Sequence, residues 1–185
     1  MSNVRGIIDG YVPQNEQEEQ DRLQMLAFMD KNEGWLCRDN AMAHVTASAW
    51  VVDPDRTRVL MIYHNIYNSW SWTGGHADGD EDLMSVAVRE AREETGVIAR
   101  PVSQKPVSIE SLCVAGHIKR GRYVSSHIHM NVTYLLEADP QAPARIKPDE
   151  NSGVMWVPFE EVNGRVSEDD MRPIYAKLIE RARQI

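Results

Sequence analysis

Between Gly74 and Val97 the chain reads Gly-Gly-His-Ala-Asp-Gly-Asp-Glu, then seven residues, then Arg-Glu-Ala-Arg-Glu-Glu-Thr-Gly-Val. Glu90, Glu93 and Glu94 stand at positions i, i+3 and i+4, so a helix here puts all three carboxylates on one face. Like charges crowded in this way repel unless a cation sits among them. A hard divalent ion such as Mg²⁺ takes oxygen ligands of this kind. On the same period Leu83, Val86 and Ala87 share that face. The carboxylates therefore continue the apolar stripe, which predicts a position at the margin of the interior. The alternative is a solvated acidic face with i, i+4 pairs to Arg89 and Arg92.

The flanking pattern mixes strands and helices. Residues 1–12 carry little signal. Pro13 to Lys31, rich in Glu and Gln with Leu23, Leu26 and Met29 at roughly helical spacing, reads as an acidic helix, closed by Gly34. Val45 to Val52 reads as a strand, Asp53-Pro54-Asp55 as a turn and Val59 to His64 as the returning strand. Tyr67 to Thr73 reads as an aromatic loop running into the glycines. Glu81 to Thr95 is a helix, with Asp78 and Asp80 as capping candidates and Gly96 as its stop. Ile109 to Gly116 and Tyr123 to Glu137 are strands joined by the basic turn Ile118-Lys119-Arg120-Gly121-Arg122. Pro140 to Pro148 is a loop, Val154 to Val157 a short strand, and Glu168 to Ile185 an amphipathic helix carrying Ile174, Leu178 and Ile179. Strands before, between and after helices predict an α/β fold with a mixed sheet between helices. The expected organisation is a helical extension over 1–40, packed on the body or on a partner subunit, and one domain over 41–185.

At 185 residues, 42% of them hydrophobic and 26% charged, the chain fits one ordinary globular domain. Its net charge of -8 argues against nucleic acid as a default partner. A phosphorylated substrate stays compatible, because a metal supplies positive charge locally. Cys37 and Cys113 form no CxxC and read as reduced thiols. Neither a signal peptide nor a membrane span is visible, so cytoplasm is the expected location.

From Gly75 the spacing is G-x5-E-x7-R-E-A-x-E-E-x-G-V. This resembles the Nudix box, G-x5-E-x7-R-E-U-x-E-E-x-G-U with U apolar, at every position. Ala91 is smaller than the Leu or Ile often found there. The box covers 23 of the 185 residues, and the strands around it suit the family's α/β/α sandwich. The resemblance implies a pyrophosphohydrolase that uses Mg²⁺ or Mn²⁺ to cleave a diphosphate linkage in a small molecule, a nucleoside diphosphate joined to another moiety. It implies that Glu93 and Glu94 hold metal and that Glu90 ligates metal or acts as base. The Gly74 carbonyl is an implied ligand, Arg89 and Glu81 an implied ion-paired brace, and Gly75 and Gly96 structural positions. It also implies a metal-binding or basic glutamate in a late loop before a strand. Glu150, six residues before Trp156, suits this; the other reading is a solvated loop acid. A homodimer is common in the family.

His127 and His129 alternate along a strand and share a face that Asn131 and Thr133 continue. His44 opens the first core strand and His76 follows Gly75. These four histidines are candidates for a second divalent metal, or for substrate contact or half-buried packing. They resemble the metal-binding positions of isopentenyl diphosphate isomerases, which share the Nudix fold. Those isomerases carry a catalytic cysteine where this chain has Gly74, and their box is degenerate. An isomerase-like enzyme and a non-catalytic ligand-sensing domain are the rival readings, and the complete set Glu90, Glu93 and Glu94 disfavours the sensor. Tyr67, Trp70 and Trp72 are candidates to stack on a base or line a pocket, or else core residues. Lys119, Arg120 and Arg122 are candidate phosphate contacts, or a solvated hairpin tip.

Overall fold

The computed structural model describes residues 3–119 and 121–185. In chain order the elements are α1 Asn3–Asp9, α2 Glu16–Met29, β1 Ala43–Val52, β2 Arg58–His64, β3 Ser69–Ser71 and β4 Thr73–His76. There follow α3 Leu83–Thr95, β5 Arg100–Pro101, β6 Ser108–Val114, β7 His117–Lys119, β8 Arg122–Val124 and β9 His127–Glu137. Then come β10 Asn151–Pro158, a 3₁₀ turn Phe159–Glu161, α4 Val162–Arg165 and α5 Met171–Gln184.

The described strands form an eight-stranded mixed sheet with the path β10-β2-β1-β9-β5; β3 joins β2, β4 joins β1 and β6 joins β9. β1 and β9 run parallel, from Ala43 beside Ile128 to Val52 beside Glu137. The other pairs are antiparallel. β7 and β8 make a separate hairpin.

β1 is buried along its whole length, which explains its run of Val, Ala and Trp. Successive residues of a strand face opposite sides. Val45, Ala47, Ala49 and Val51 pack with Leu83, Val86 and Ala87 of α3 and Met25 of α2. Trp50 and Val52 face the other layer, with Tyr175, Leu178 and Ala182 of α5. Burying one such large apolar side chain is worth roughly 1.5–3 kcal/mol. On that second side the N-terminal half of β1 carries His44, Thr46 and Ser48, and these line a cavity. The mixed sheet between helices is the architecture expected from the order of elements.

Several boundaries differ from expectation. α1 was not legible, yet Val4 and Ile8, four residues apart, are fully buried against the core. Tyr67 to Thr73 is not a loop: Ser69–Ser71 pairs with β2, and Thr73–His76 pairs with β1. The chain there must return across the sheet, and its small residues allow close strand contact. Asp82, not Asp78 or Asp80, caps α3 by accepting the Ser85 N–H at 3.0 Å. Asp78 is held by Arg38, and Asp80 accepts the Asp82 N–H. Gly96 ends the helix at φ 75°, a left-handed conformation natural to glycine. The strand expected over Tyr123 to Glu137 breaks after Val124.

The N-terminal helices are stitched to the body by buried charge. Asn15 caps α2 by accepting the Glu18 N–H at 2.9 Å. Glu18, fully buried, receives Arg181 Nη2 at 3.0 Å and Lys177 Nζ at 3.0 Å. Lys177 also lies 3.0 Å from Glu110, which accepts Asn131 Nδ2 at 3.1 Å. Asn131 in turn accepts Thr46 Oγ1 at 2.9 Å and Ser48 Oγ at 2.8 Å. A continuous polar chain thus runs from α2 to the cavity floor.

Burial alone would raise the Glu18 carboxyl, but Arg181, the Gln14 N–H and Lys177 outweigh it and hold it at about 2. A carboxyl lowered on folding contributes stability that is present above its unfolded value of about 4.3 and lost as pH falls towards 2. Wild-type protein should therefore lose stability to denaturant across that window, and Glu18→Gln should lack this component. At pH 7 Glu18→Ala should cost about 3–5 kcal/mol, because it leaves buried cations unpaired. An identical acid limb in Glu18→Gln would show that the pair does not act in this way.

Candidate active site

A cavity of about 1060 Å³ opens between β1, β4, the C-terminal half of α3, the residues before β10 and the β7–β8 hairpin. One end is carboxylate. The β4 backbone lies so close to β1 that a Cβ on Gly74 would meet Ser48 Oγ at 2.6 Å and the Ala47 carbonyl at 2.8 Å. Glycine at this point lets its N–H reach Glu94 Oε2 at 3.0 Å. A Cβ on Gly75 would meet Glu90 Cδ at 2.5 Å, so Gly75 leaves the room that Glu90 fills.

Glu94 is 3% exposed. Burial pushes its carboxyl well above the ordinary range; the Gly74 N–H opposes this, while Glu150 and Glu90 add to it. Burial also raises Glu90, helped by Glu93 and opposed by Arg89. Glu93 lies at the exposed rim. Glu150 comes to the same rim: Lys147 Nζ is 2.9 Å from Glu150 Oε2 and 3.5 Å from Glu93 Oε2. Asn151 Nδ2 donates to the Glu94 carbonyl at 2.9 Å and ties this segment to α3. The structure thus brings Glu90, Glu93, Glu94, Glu150 and Gly74 together. A carboxylate oxygen set with Glu94 buried, Glu90 and Glu150 half-buried, and few cationic partners suits a hard divalent ion.

Arg89 does not pair with Glu81 among the described residues. It reaches Asp80 at 3.3 Å and Glu90 at 3.8 Å, and Glu81 accepts the Asn3 N–H at 3.1 Å. The loop is braced by the neighbouring aspartate instead, because α1 claims Glu81.

The other end is imidazole. His44 and His129 are side by side in the β1–β9 register, and Thr46 opposite His76 sets the third ring beside them. Ring centroids of His44 lie 5.0 Å from His76, 4.9 Å from His127 and 5.0 Å from His129. His44 Nδ1 lies 2.9 Å from the Asn40 carbonyl, and His127 Nδ1 2.8 Å from the Ser125 carbonyl. A carbonyl only accepts, so both Nδ1 atoms carry hydrogen and both Nε2 atoms present lone pairs. His44 Nε2 is buried and has no hydrogen-bond partner among the described residues. Burial lowers His44 and holds His76 at about 3 and His129 at about 2. The donor atoms of His44, His127 and His129 all lie within 4.8 Å of one another. His127 Nε2 lies 3.1 Å from His129 Nε2, so the two rings share one hydrogen there. Nδ1–H fixed on a carbonyl with Nε2 turned to the cluster is how metal-binding histidines are oriented.

The candidate substrate residues divide. Tyr67 lines the cavity and stacks on His64 with centroids 4.3 Å apart. Trp72 touches the cavity but is buried against Tyr175. Trp70 does not line it; it packs edge-on to Tyr63 at 5.6 Å, over Gly153. Arg122 is exposed on β8 outside the lining, whereas Lys119 lines it. Arg120 lies outside the described residues. Lys147 and His64 were not foreseen. Lys147 sits in a loop without periodicity, and His64 ends a strand whose pattern gave no reason to single it out.

A family model described as the NUDIX domain matches residues 42–182. The chain belongs to the Nudix family. It is 31% identical over 121 residues to the m7GpppN-mRNA hydrolase NUDT17 of Xenopus laevis, covering 62% of this chain and 39% of that one. It is 43% identical over 60 residues to the CMP-5'-(N-acetyl-N-hydroxy-3-aminopropyl)phosphonate hydrolase of Streptomyces rubellomurinus, covering 30% and 29%. The chain thus spans well under half the length of these curated relatives. A Nudix-family hydrolase from Clostridium perfringens superposes with a TM-score of 0.57 at 17% identity, over 76% of this chain and 97% of that one. An Ap4A hydrolase of C. elegans gives 0.56 at 16%, over 76% and 98%. At these identities the two structures share the fold. No described helix is long and apolar enough to cross a membrane.

The two glycines should respond differently to alanine. Gly74→Ala meets backbone, so it should destabilise the fold by about 1–3 kcal/mol. Gly75→Ala meets the flexible Glu90 side chain, so it should keep its melting temperature while weakening Mn²⁺ binding several-fold. Calorimetry and metal titration separate the two, and equal behaviour in both assays would contradict this geometry.

Proposed function

We propose that this protein is a pyrophosphohydrolase that cleaves a diphosphate linkage in a small molecule, using Mg²⁺ or Mn²⁺ held by Glu90, Glu93, Glu94 and the Gly74 carbonyl, with Glu150 at the rim. The observation that carries this reading is the buried Glu94, fixed on the Gly74 N–H behind a cavity wall lined by Glu90, Glu93 and Glu150. Membership of the Nudix family supports it. When bound, the divalent ion neutralises charge on phosphate oxygens and lowers the pKa of a water molecule. Glu94 is locked in place by Gly74, and Glu93 faces the opening. Glu150, or Glu90 where it does not ligate the ion, is the carboxylate we assign to accept a proton from the attacking water. The names of the relatives, hydrolases of m7GpppN-mRNA, of a CMP-linked phosphonate and of Ap4A, share a nucleotide, which supports a nucleotide-linked substrate.

Glu94→Gln should lower kcat by roughly 10²–10⁴-fold with the fold intact, since it removes charge and relieves repulsion. The assay is a phosphate-release screen against diphosphate compounds with Mg²⁺ and Mn²⁺, read for two phosphorylated products. Wild-type turnover in Glu94→Gln, or a rearranged diphosphate with no cleavage, would sink the hydrolase.

We further propose a second divalent ion at His44, His127 and His129, with the His76 ring beside them at 5.0 Å from those of His44 and His129. The partnerless His44 Nε2 and the carbonyl-fixed Nδ1 atoms support it, and the neutral nitrogen set suits zinc or its neighbours over magnesium. His127→Ala combined with His129→Ala should remove this metal in elemental analysis of the purified protein. Unchanged stoichiometry would reject the site.

A further inference from the structure

The carboxylate end of the cavity holds a cation of its own. Lys147 Nζ bridges Glu150 and Glu93. Its backbone is pinned: its N–H donates to Asn151 Oδ1 at 3.2 Å, and its carbonyl accepts the N–H groups of Glu150 and Asn151, both at 2.8 Å. The nearby arginines are engaged elsewhere: Arg89 is anchored on Asp80 and Arg38 on Asp78. Only the four-carbon stem of Lys147 is free to move, and its ammonium is a compact charge that can exchange partners.

We propose that Lys147 is a tethered counter-ion for this site, pairing with Glu93 and Glu150 until a divalent cation takes them and then turning to the diphosphate of the substrate. The inference rests on the proposed reading of the glutamates as the metal seat. A divalent ion among these carboxylates repels the ammonium and removes its partners. The incoming diphosphate supplies new negative charge in the same cavity, which Lys147 also lines. A pinned backbone with a mobile head group lets one side chain balance charge in both states without loop movement. The same residue therefore opposes metal binding and favours diphosphate binding, two effects of opposite sign that a merely structural lysine does not produce.

The test measures Mn²⁺ binding by electron paramagnetic resonance without substrate, and imidodiphosphate binding by calorimetry at saturating Mn²⁺. The Mn²⁺ component abolished by Glu94→Gln reports the carboxylate site and excludes the histidines. Lys147→Met should tighten that component roughly three- to tenfold and weaken imidodiphosphate by a similar factor, while Lys147→Arg stays near wild type in both. Lys147→Met with unchanged or weaker Mn²⁺ binding overturns the proposal, as does tighter Mn²⁺ with unchanged imidodiphosphate. Mn²⁺ binding that survives Glu94→Gln in full overturns the metal seat itself, and that result is read before Lys147 is considered.

Discussion

Ten consecutive residues of β1 pair in parallel with ten of β9, and this single register decides what the cavity contains. It sets His44 beside His129 and Thr46 beside Asn131. A slip of one residue would turn every side chain to the opposite face. The histidines would then enter the layer now filled by Val45, Ala47 and Val51, and the apolar residues would line the cavity. The parallel pairing also leaves the other edge of β1 free for β4, which carries Gly74, Gly75 and His76. Both donor sets of the site hang on this one pairing.

The register is itself held by polar groups. Asn131 is 1% exposed on β9 and accepts hydrogen bonds from both Thr46 and Ser48 of β1, so it reads the alignment of the two strands. A buried amide left unpaired costs about 1–3 kcal/mol, which penalises any slip. Its amide hydrogens go to Glu110 and Thr133. Glu110 needs Lys177, and Lys177 shares Glu18 with Arg181. The docking of α2 and α5 therefore supports the cavity floor through charge, as well as covering the sheet with apolar side chains.

What was legible in the sequence follows from what each residue answers to. The box from Gly75 to Val97 is written in spacing, because helix period and glycine geometry act locally; α3, its Gly96 stop and the face holding Glu90, Glu93 and Glu94 were readable for that reason. β1 and β2 were readable from β-branched runs. β3 and β4 were not, because their serines, tryptophans and glycines are set by contact with β1 and β2, residues distant in sequence. The cap of α3 passed to Asp82 because Arg38, forty residues upstream, occupies Asp78. Glu81 lost its partner to Asn3 in a helix whose seven residues gave no period to count. Asn131 and Thr133 were placed on the correct face, but their burial depends on Glu110 and α5.

The cavity joins an anionic end and a largely neutral, imidazole-lined end across the width of one short strand. At the carboxylate end, charge is in excess and burial makes that excess costly, so the site is complementary to a hard cation. At the imidazole end, burial favours the neutral form of His44, His76 and His129, and neutral ligands would leave a bound ion its full double charge. A cation neutralised by glutamates and a cation left bare by histidines would act differently on the same substrate. The first offsets charge where a phosphate bond breaks; the second attracts an anionic group without competing for it. Gly74, Gly75 and His76 are consecutive, so β4 ties the two ends together, and a shift of that strand would move both at once.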